Sequence, residues 1–583
     1  MAPVLIMDNI HIDYEERKGR FVVHAPPWQV ELCRAMPNRR WRAADRAWTA
    51  PAIRANADYI KKSLTILGHK ITPKARDKID ELLQRERDLH LTDNFPKDYR
   101  FKTTPFKHQY AALDKLYGLR TIALFMDMGT GKSKVAIDLH AAMSREYKVD
   151  TVLLLCPLSI RRNWAEQELP RHMTSAWSAH LLDTSKSGIK HYDEWMKDAL
   201  GQRWLIVGIE SLGSSKRAEE ICKQYLCSSI HTATIVDESS KIKNHTANRA
   251  MRAVSFGRMS EYRTIMTGTP IANGPMDMFM QFEFLDPDII GLGDFYSFRN
   301  RYAIMGGYDN KEIIGYRNLD ELTEIVAPFV YQVRKKDALD LPPKLYVTRE
   351  VELTDEQRRL YGTMKRGRIV ATGDKSHIVE NVLEKMLRLQ EIAGGFVSYA
   401  DAGAAKGKKT KRERIDKVLS KVTELLAIAE EAEGQSVIVW CAFKDEIYAC
   451  VAALCNVYGR AAVVEIHGDI DEKQRNINKD LFQSGKARFL VGNAATGGLG
   501  LDMTAGSIEV YYSNTFNYID RQQSEDRAHR IGQTKQVTII DLVARGTVDA
   551  VIIEALRQKQ NLSEYVRRSI ARADTDHLYG ETE

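Results

Sequence analysis

Asp127-Met128-Gly129-Thr130-Gly131-Lys132-Ser133 gathers two glycines, a threonine, a lysine and a hydroxyl into one short run. Such a run can cradle phosphates, because glycines let backbone N–H groups approach closely and a following helix N-terminus adds partial positive charge. Lys132 is read as reaching the β- and γ-phosphates, and the Ser133 hydroxyl as a ligand for Mg²⁺. The strict spacing of such loops calls for glycine at position 126, where this chain has Met126. A second set, Ile235-Val236-Asp237-Glu238-Ser239-Ser240, ends an apolar run in paired carboxylates. There Asp237 could hold Mg²⁺ through water while Glu238 orients and deprotonates an attacking water. The third set is Gln523–Gln533, QSEDRAHRIGQ, in which Arg527 and Arg530 stand three residues apart. That spacing allows both guanidinium groups on one face of a helical turn, and the planar fork suits phosphate oxygens. Each set alone has a bland reading, as a chance glycine turn, surface acids or a solvated charged helix. Together they supply different parts of one phosphoryl-transfer site, and they predict an ATPase.

These residues need elements to hold them. Thr121–Met126 (TIALFM) reads as a buried parallel strand before the glycine run, and Lys134–Met143 as a helix after it. Thr232–Val236 reads as the strand that delivers the acids. From Thr104 to about Leu285, strands at 121–126, 151–156, 204–209, 232–236 and 263–267 alternate with helices, which predicts an α/β lobe with a parallel sheet. Gln109 lies shortly before the first strand, close enough to read an adenine edge. Residues 286–435 lose the strand rhythm and become helical and charged, and the basic run at 406–412 reads as a solvated linker. Alternation resumes with strands at 436–441, 462–466, 488–491, 508–512 and 536–542, a second α/β lobe that carries the arginine pair. A site assembled from two lobes would open and close with nucleotide state.

The N-terminal stretch is different. Val4–Asp13 and Arg20–His24 read as a hairpin, and Pro27–Met36 and Pro51–Leu67 as helices with proline near their first turns. Between them Arg34, Arg39, Arg40, Arg42 and Arg46 interleave with Trp41 and precede Trp48, a mixture suited to a nucleic-acid backbone and its exposed bases. The competing reading is a small domain with Trp48 in its core and the arginines in solvent. The expected organisation is a small α+β domain over 1–72, a charged helical linker over 73–103 and a first lobe over 104–340 with a helical protrusion from about 286. A linker and protrusion over 341–435, a second lobe over 436–545 and a helical brace over 546–583 complete it.

Composition narrows the class. A chain of 583 residues exceeds one hydrophobic core. No apolar run is long enough to span a membrane and no signal-peptide pattern opens the chain, so a cytoplasmic protein is expected. The excess of Lys and Arg (85) over Asp and Glu (78) is mild and permits an anionic partner without demanding one. Seven scattered cysteines argue against a disulfide framework, and the spacing of Cys222, Cys227 and His231 matches no standard zinc pattern.

Over residues 104–560 the motifs resemble, in order, a SWI/SNF-type ATPase of helicase superfamily two. The matching pieces are FKHQ at 106–109, DMGTGKS at 127–133, LLLCPLSIRRNW at 153–164 and VDESSKIKN at 236–244. MTGTPIANG at 266–274, LPPK at 341–344, ATGGLGLDMTAG at 495–506 and QSEDRAHRIGQ at 523–533 follow. The resemblance implies two tandem RecA-like lobes, ATP and Mg²⁺ as cofactors, and translocation on double-stranded DNA; a strand-separating DNA or RNA helicase is the alternative. It implies that Arg527 and Arg530 act as arginine fingers, Arg530 the more direct, and that Thr267 and Thr269 couple nucleotide state to DNA. It sets Pro157, Lys243 and Asn244 beside the DNA track, and Gly500 and Asp502 near the nucleotide. Ser240 replaces a usual histidine, and Ala495 and Asp502 stand where arginine and asparagine are general. More weakly, FVV…MPNRRWRAADRAW within residues 21–67 resembles the HARP domain of annealing helicases. That likeness implies rewinding or remodelling of forked DNA. Arg39, Arg40, Trp41 and Arg42 are the expected nucleic-acid contacts. The lack of bromodomain-like or chromodomain-like length beyond the motor fits a compact bacterial or phage protein, and a monomer is expected.

Overall fold

The computed structural model describes residues 9–16, 20–36, 39–52, 54–64, 69–90, 94–271, 274–306, 312–339, 341–366, 375–399, 411–494 and 503–558. The chain forms two compact units, Met1–Asp127 with Gly131–Ala338, and Leu339–Glu583 with Met128–Thr130. Among the described residues no helix is long and apolar enough to cross a membrane.

The first unit opens with strands β1 (His11–Glu15), β2 (Arg20–His24), β3 (Arg40–Arg42), β4 (Ala47–Pro51) and β5 (Lys70–Ile71). They form one sheet in the order β3-β4-β2-β1-β5. Ile12, Phe21, Val23 and Ala50 line its buried face. The helix Pro73–His90 covers that face through Ala75, Ile79 and Leu82, a spacing that gives one helical stripe. This corrects the expected linker: the helix that starts at 73 is packed into the N-terminal core. The helix expected over Pro27–Met36 is a 3₁₀ turn, Pro27–Gln29, followed by Val30–Arg34.

A seven-stranded parallel sheet follows. Its strands are β6 (Thr121–Met126), β7 (Thr151–Cys156), β8 (Trp177–Leu181), β9 (Gln202–Gly208), β10 (Thr232–Asp237), β11 (Tyr262–Met266) and, after a β12–β13 hairpin (Ala303–Gly306 and Glu312–Tyr316), β14 (Val330–Val333). Their order is β14-β6-β11-β10-β7-β9-β8. Successive residues alternate between two cores. Leu153, Leu155, Leu205 and Val207 face one, and Val152, Leu154, Cys156 and Ile206 the other. Burial on both faces is why these strands read as unbroken apolar runs.

The second unit has a six-stranded parallel sheet in the order β15-β22-β21-β18-β20-β19. Its strands are β15 (Leu345–Val351), β18 (Ser436–Trp440), β19 (Val463–Ile466), β20 (Phe489–Gly492), β21 (Gly506–Tyr511) and β22 (Thr538–Ala544), with a small ribbon of β16 (Phe396–Tyr399) and β17 (Lys411–Arg414). Val437 and Val439 pack on one face, Ile438 and Trp440 on the other. Residues 286–435 are not simply helical, as expected from their charge; they contribute β12 to β17, including one edge strand to each large sheet. Arg412, read as part of a solvated run, pairs with Glu391 at 2.8 Å and Asp445 at 3.4 Å. Residues 401–410 of that loop lie outside the described residues.

Candidate nucleotide site

The glycine run leaves the buried end of β6 and enters the helix Lys132–Glu146. Gly129 and Gly131 take left-handed φ values of 76° and 90°, conformations that glycine adopts without a Cβ clash. Met126, the departure from the strict spacing, is the fully buried last residue of β6, so the turn starts one residue later, at Asp127. The Lys132 ammonium donates to the Met126 carbonyl at 2.9 Å and reaches the Asp127 carbonyl at 3.4 Å. Asp127 is held in turn: its Oδ2 accepts from Lys335 N at 2.8 Å. Ser133 is the second residue of the helix, half-buried.

Gln109 is buried against this turn. Its Oε1 accepts from Phe106 N at 3.0 Å, and a Cβ built on Gly131 would lie 2.2 Å from its Nε2. Only glycine at 131 lets the Gln109 amide approach so closely. Thr130 is fully buried.

The acidic pair ends β10. Each Asp237 carboxylate oxygen has a donor: Glu238 N to Oδ1 at 3.0 Å and the Trp164 indole N–H to Oδ2 at 2.9 Å. Burial, and then the neighbouring Glu238 carboxylate, push Asp237 up to about 7, against the Trp164 hydrogen bond and the Lys132 charge. Glu238 sits at φ 55°, ψ 56°, a left-handed conformation that a residue with a Cβ adopts only at a cost. The β10–β11 register pairs Asp237 with Met266, which brings the next residue, Thr267, level with Glu238. Thr267 Oγ1 donates to Glu238 Oε2 at 3.5 Å and accepts from Thr269 N at 3.1 Å. Thr269 Oγ1 is buried with no hydrogen-bond partner among the described residues.

Two residues of this network were not among the predicted site residues. Gln281, on the helix Met278–Leu285, accepts from Ser239 Oγ at 2.6 Å and donates to the Pro270 and Asp277 carbonyls, each at 2.9 Å. It thus ties the acidic segment to the threonine segment. Trp164 stood inside the quoted run LLLCPLSIRRNW, but nothing in its spacing pointed to an acid 73 residues away.

Other predicted residues are occupied locally. Lys243 pairs with Asp277 at 3.0 Å, and Asn244 Oδ1 accepts from Thr246 N and Oγ1 at 3.0 and 2.9 Å. Pro157 is buried before the turn Leu158–Ile160. In the N-terminal sheet, Arg40 faces Thr49, Trp41 faces Trp48 and Arg42 faces Ala47. Strand alternation therefore puts Trp41 on the opposite face from Arg40 and Arg42, which separates the interleaved arginine and tryptophan. Arg42 is paired with Glu15 at 2.8 Å and with Asp45, while Arg39 and Arg40 are exposed. Trp41, half exposed, lies 5.4 Å from Trp48 between ring centres.

In the second unit the expectation of one helical face for Arg527 and Arg530 is corrected. The helix Tyr518–Ala528 ends at a His529 cap, so Arg527 is buried in its last turn and Arg530 lies beyond it. The Gln533 amide ends the helix: its Nε2 reaches the carbonyls of Ala528 (3.1 Å), Thr504 (3.0 Å) and Gly506 (3.1 Å). The acids of the run are spent internally. Lys344 Nζ bonds Glu525 at 2.9 Å and Asp526 at 3.2 Å, and Arg521 pairs with Glu525 at 2.8 Å and Asp541 at 2.6 Å. Burial would raise the Glu525 carboxyl, but Lys344 and Arg521 hold it down at about 2. Gly500 and Asp502, with Ala495, lie outside the described residues.

A family model described as SNF2-related domain matches residues 108–394, and one described as helicase conserved C-terminal domain matches residues 417–532. The chain is 26% identical over 504 residues to the putative ATP-dependent helicase/translocase YwqA of Bacillus subtilis, covering 83% of this chain and 51% of that protein. It is 24% identical over 521 residues to the CHD3-type chromatin-remodeling factor CHR7 of Arabidopsis thaliana, covering 84% and 39%. This chain thus spans about half or less of the length of these curated relatives. Among solved structures, the Sulfolobus solfataricus SWI2/SNF2 ATPase core in complex with dsDNA is similar at 21% identity and a TM-score of 0.37, covering 84% of this chain and all of that one.

Proposed function

The chain belongs to the SNF2-related family of helicase-type ATPases, and from that premise we propose that it hydrolyses ATP to move along double-stranded or branched DNA. The observation that carries the reading is the convergence at the carboxyl ends of β6, β10 and β11 of a glycine cradle with Lys132, the Asp237–Glu238 pair and Thr267 on Glu238. The cradle fits a magnesium nucleotide. It offers backbone N–H groups at two left-handed glycines, a helix N-terminus and an ammonium now resting on carbonyl oxygens.

In this reading Lys132 exchanges the Met126 carbonyl for phosphate oxygens, and Gln109 reads the adenine edge. Ser133 and Asp237 would hold Mg²⁺, which when bound would neutralise phosphate charge. Glu238 takes the proton of the attacking water, with Thr267 fixing its orientation. Arg530, and secondarily Arg527, are assigned as the arginine fingers whose positive charge offsets the negative charge developing on the phosphates, and Gly500 and Asp502 are assigned to nucleotide binding. Thr267 and Thr269 pass the state of the acid pair to a DNA track flanked by Pro157, Lys243 and Asn244. One curated relative is a putative ATP-dependent helicase/translocase, which supports an ATP-driven motor. The N-terminal domain contacts forks through exposed Arg39 and Arg40, with Arg42 bracing the strand and Trp41 a separate contact on the other face of the sheet, and the protein acts as a monomer that reanneals or remodels DNA.

The test is ATP turnover with no nucleic acid and with duplex, forked DNA, single strands or RNA. Duplex or forked DNA should stimulate most, with stimulation weakened by salt. Equal stimulation by RNA or single strands would sink the duplex assignment. Efficient displacement of a labelled strand would favour a strand-separating helicase instead.

A further inference from the structure

Trp164 and Asp237 are both buried, and they lie 73 residues apart in the chain. β7 and β10 are parallel neighbours, with Leu155 opposite Val236. The chain leaving β7 turns at Leu158–Ile160 and folds back as a helix whose next residues bring Trp164 over the end of β10. From there the indole N–H meets Asp237 Oδ2 at 2.9 Å, while Glu238 N holds Oδ1. With one donor on each oxygen, the carboxylate cannot turn about its last torsion without losing a hydrogen bond in a buried site. We propose that Trp164 is a positioning residue for the metal of the nucleotide site, fixing the Asp237 carboxylate in the orientation that receives the cation. The inference rests on the magnesium-nucleotide reading above.

A buried indole needs an acceptor, and a purely packed one can use a neutral group. Trp204 does so: it stacks on Trp164 at 6.4 Å between ring centres and donates to the Gln202 amide oxygen at 3.0 Å. Trp164 instead spends its donor on an acid. The donor's chemistry suits the task. A lysine or arginine there would cancel the charge the cation needs, and a histidine or a second carboxylate could ligate the metal itself. An indole is neutral, donates only, and covers that side of the carboxylate with apolar surface. The segment Trp164–Glu168 is a wide π-helical turn, a form that recurs at functional sites.

The experiment measures binding of a fluorescent ADP analogue to the full chain as magnesium is titrated, and again in EDTA. Trp164→Phe, which keeps an aromatic ring and removes the donor, should raise the magnesium concentration at half-saturation about tenfold or more. Affinity in EDTA should stay at the wild-type value, a split that a general loss of structure would not produce. Replacing Trp164 with 3-benzothienylalanine preserves the bicyclic shape with sulfur in place of N–H, and it should shift the magnesium requirement equally. In Asp237→Asn, the further change Trp164→Phe should add nothing. A wild-type magnesium requirement in the benzothienyl variant, or a loss of nucleotide affinity in EDTA equal to that in magnesium, would overturn the inference alone. Absence of magnesium-dependent nucleotide binding in the unmodified chain would overturn the nucleotide reading and this inference with it.

Discussion

The end of β10 in the first lobe and the helix Tyr518–Ala528 in the second both carry motif residues, but they hold their charges differently. At β10 the acids sit at a strand end, are steered by hydrogen bonds from Trp164 and the Glu238 backbone to Asp237 and from Thr267 to Glu238, and leave further acceptor positions on both. Along the helix, Glu525 and Asp526 are consumed by Lys344 and Arg521, and Arg521 in turn lies over the Tyr511 ring, 3.4 Å from its centre. Within one conspicuous motif, then, the two acids are tied into the lobe's ion pairs, while Arg527 is buried in the last helical turn and Arg530 lies past the helix end. The first lobe places its motif acids by strand register; the second ties its motif acids into buried ion pairs.

This contrast can be broken at either end. The largest expected effect is at Glu238: Glu238→Gln should lower turnover about 10²- to 10⁴-fold while a fluorescent ATP analogue still binds. Loss of binding in parallel would mean that the acid is structural. Next, Arg521→Ala leaves Asp541 and Glu525 buried with fewer partners and should cost about 3–5 kcal/mol in chemical denaturation of the second lobe. An unchanged denaturation midpoint would remove the claim that this helix is mainly scaffold. Arg530→Ala should reduce turnover about 10²- to 10³-fold with no change in that midpoint or in DNA affinity. A stability loss like that of Arg521→Ala would put Arg530 back in the scaffold. The smallest effect is with acid. Glu525 is held at about 2 in the folded protein, below the ordinary glutamate value near 4.5, so its contribution is present above that value and is lost as pH falls from about 4.5 toward 2. Denaturation midpoints of Glu525→Gln should fall less steeply over that window than those of the unmodified chain.

What could be read beforehand follows from burial. The strands buried on both faces announced themselves as apolar runs, and their strong pattern placed the glycine turn and the acids at strand ends within a residue or two. The edge strands β8, β14 and β15 did not, because one side faces away from the sheet core and their sequences, such as WSAHL and LYVTREV, mix polar and apolar residues. Arg527 and Arg530 looked like a helical pair since their spacing fits one; the helix stops at Ala528, whose carbonyl is taken by Gln533, itself bonded to the distant carbonyls of Thr504 and Gly506, which no local pattern reveals. Arg40-Trp41-Arg42 looked like one mixed surface, and strand pairing splits it. Trp164 and Gln281 were invisible as site residues, since each acts through a bond to a distant segment.

The left-handed backbone at Glu238 has an evolutionary and engineering consequence. At this position foldability and chemistry ask for different residues. Glycine or asparagine would suit the conformation better, and Glu238→Gly should raise the thermal midpoint by the equivalent of about 1 kcal/mol while ending hydrolysis. A screen for thermostable variants that ignores activity would therefore drift toward inactive proteins through this residue, and finding glycine enriched there would be the signature of that trade-off.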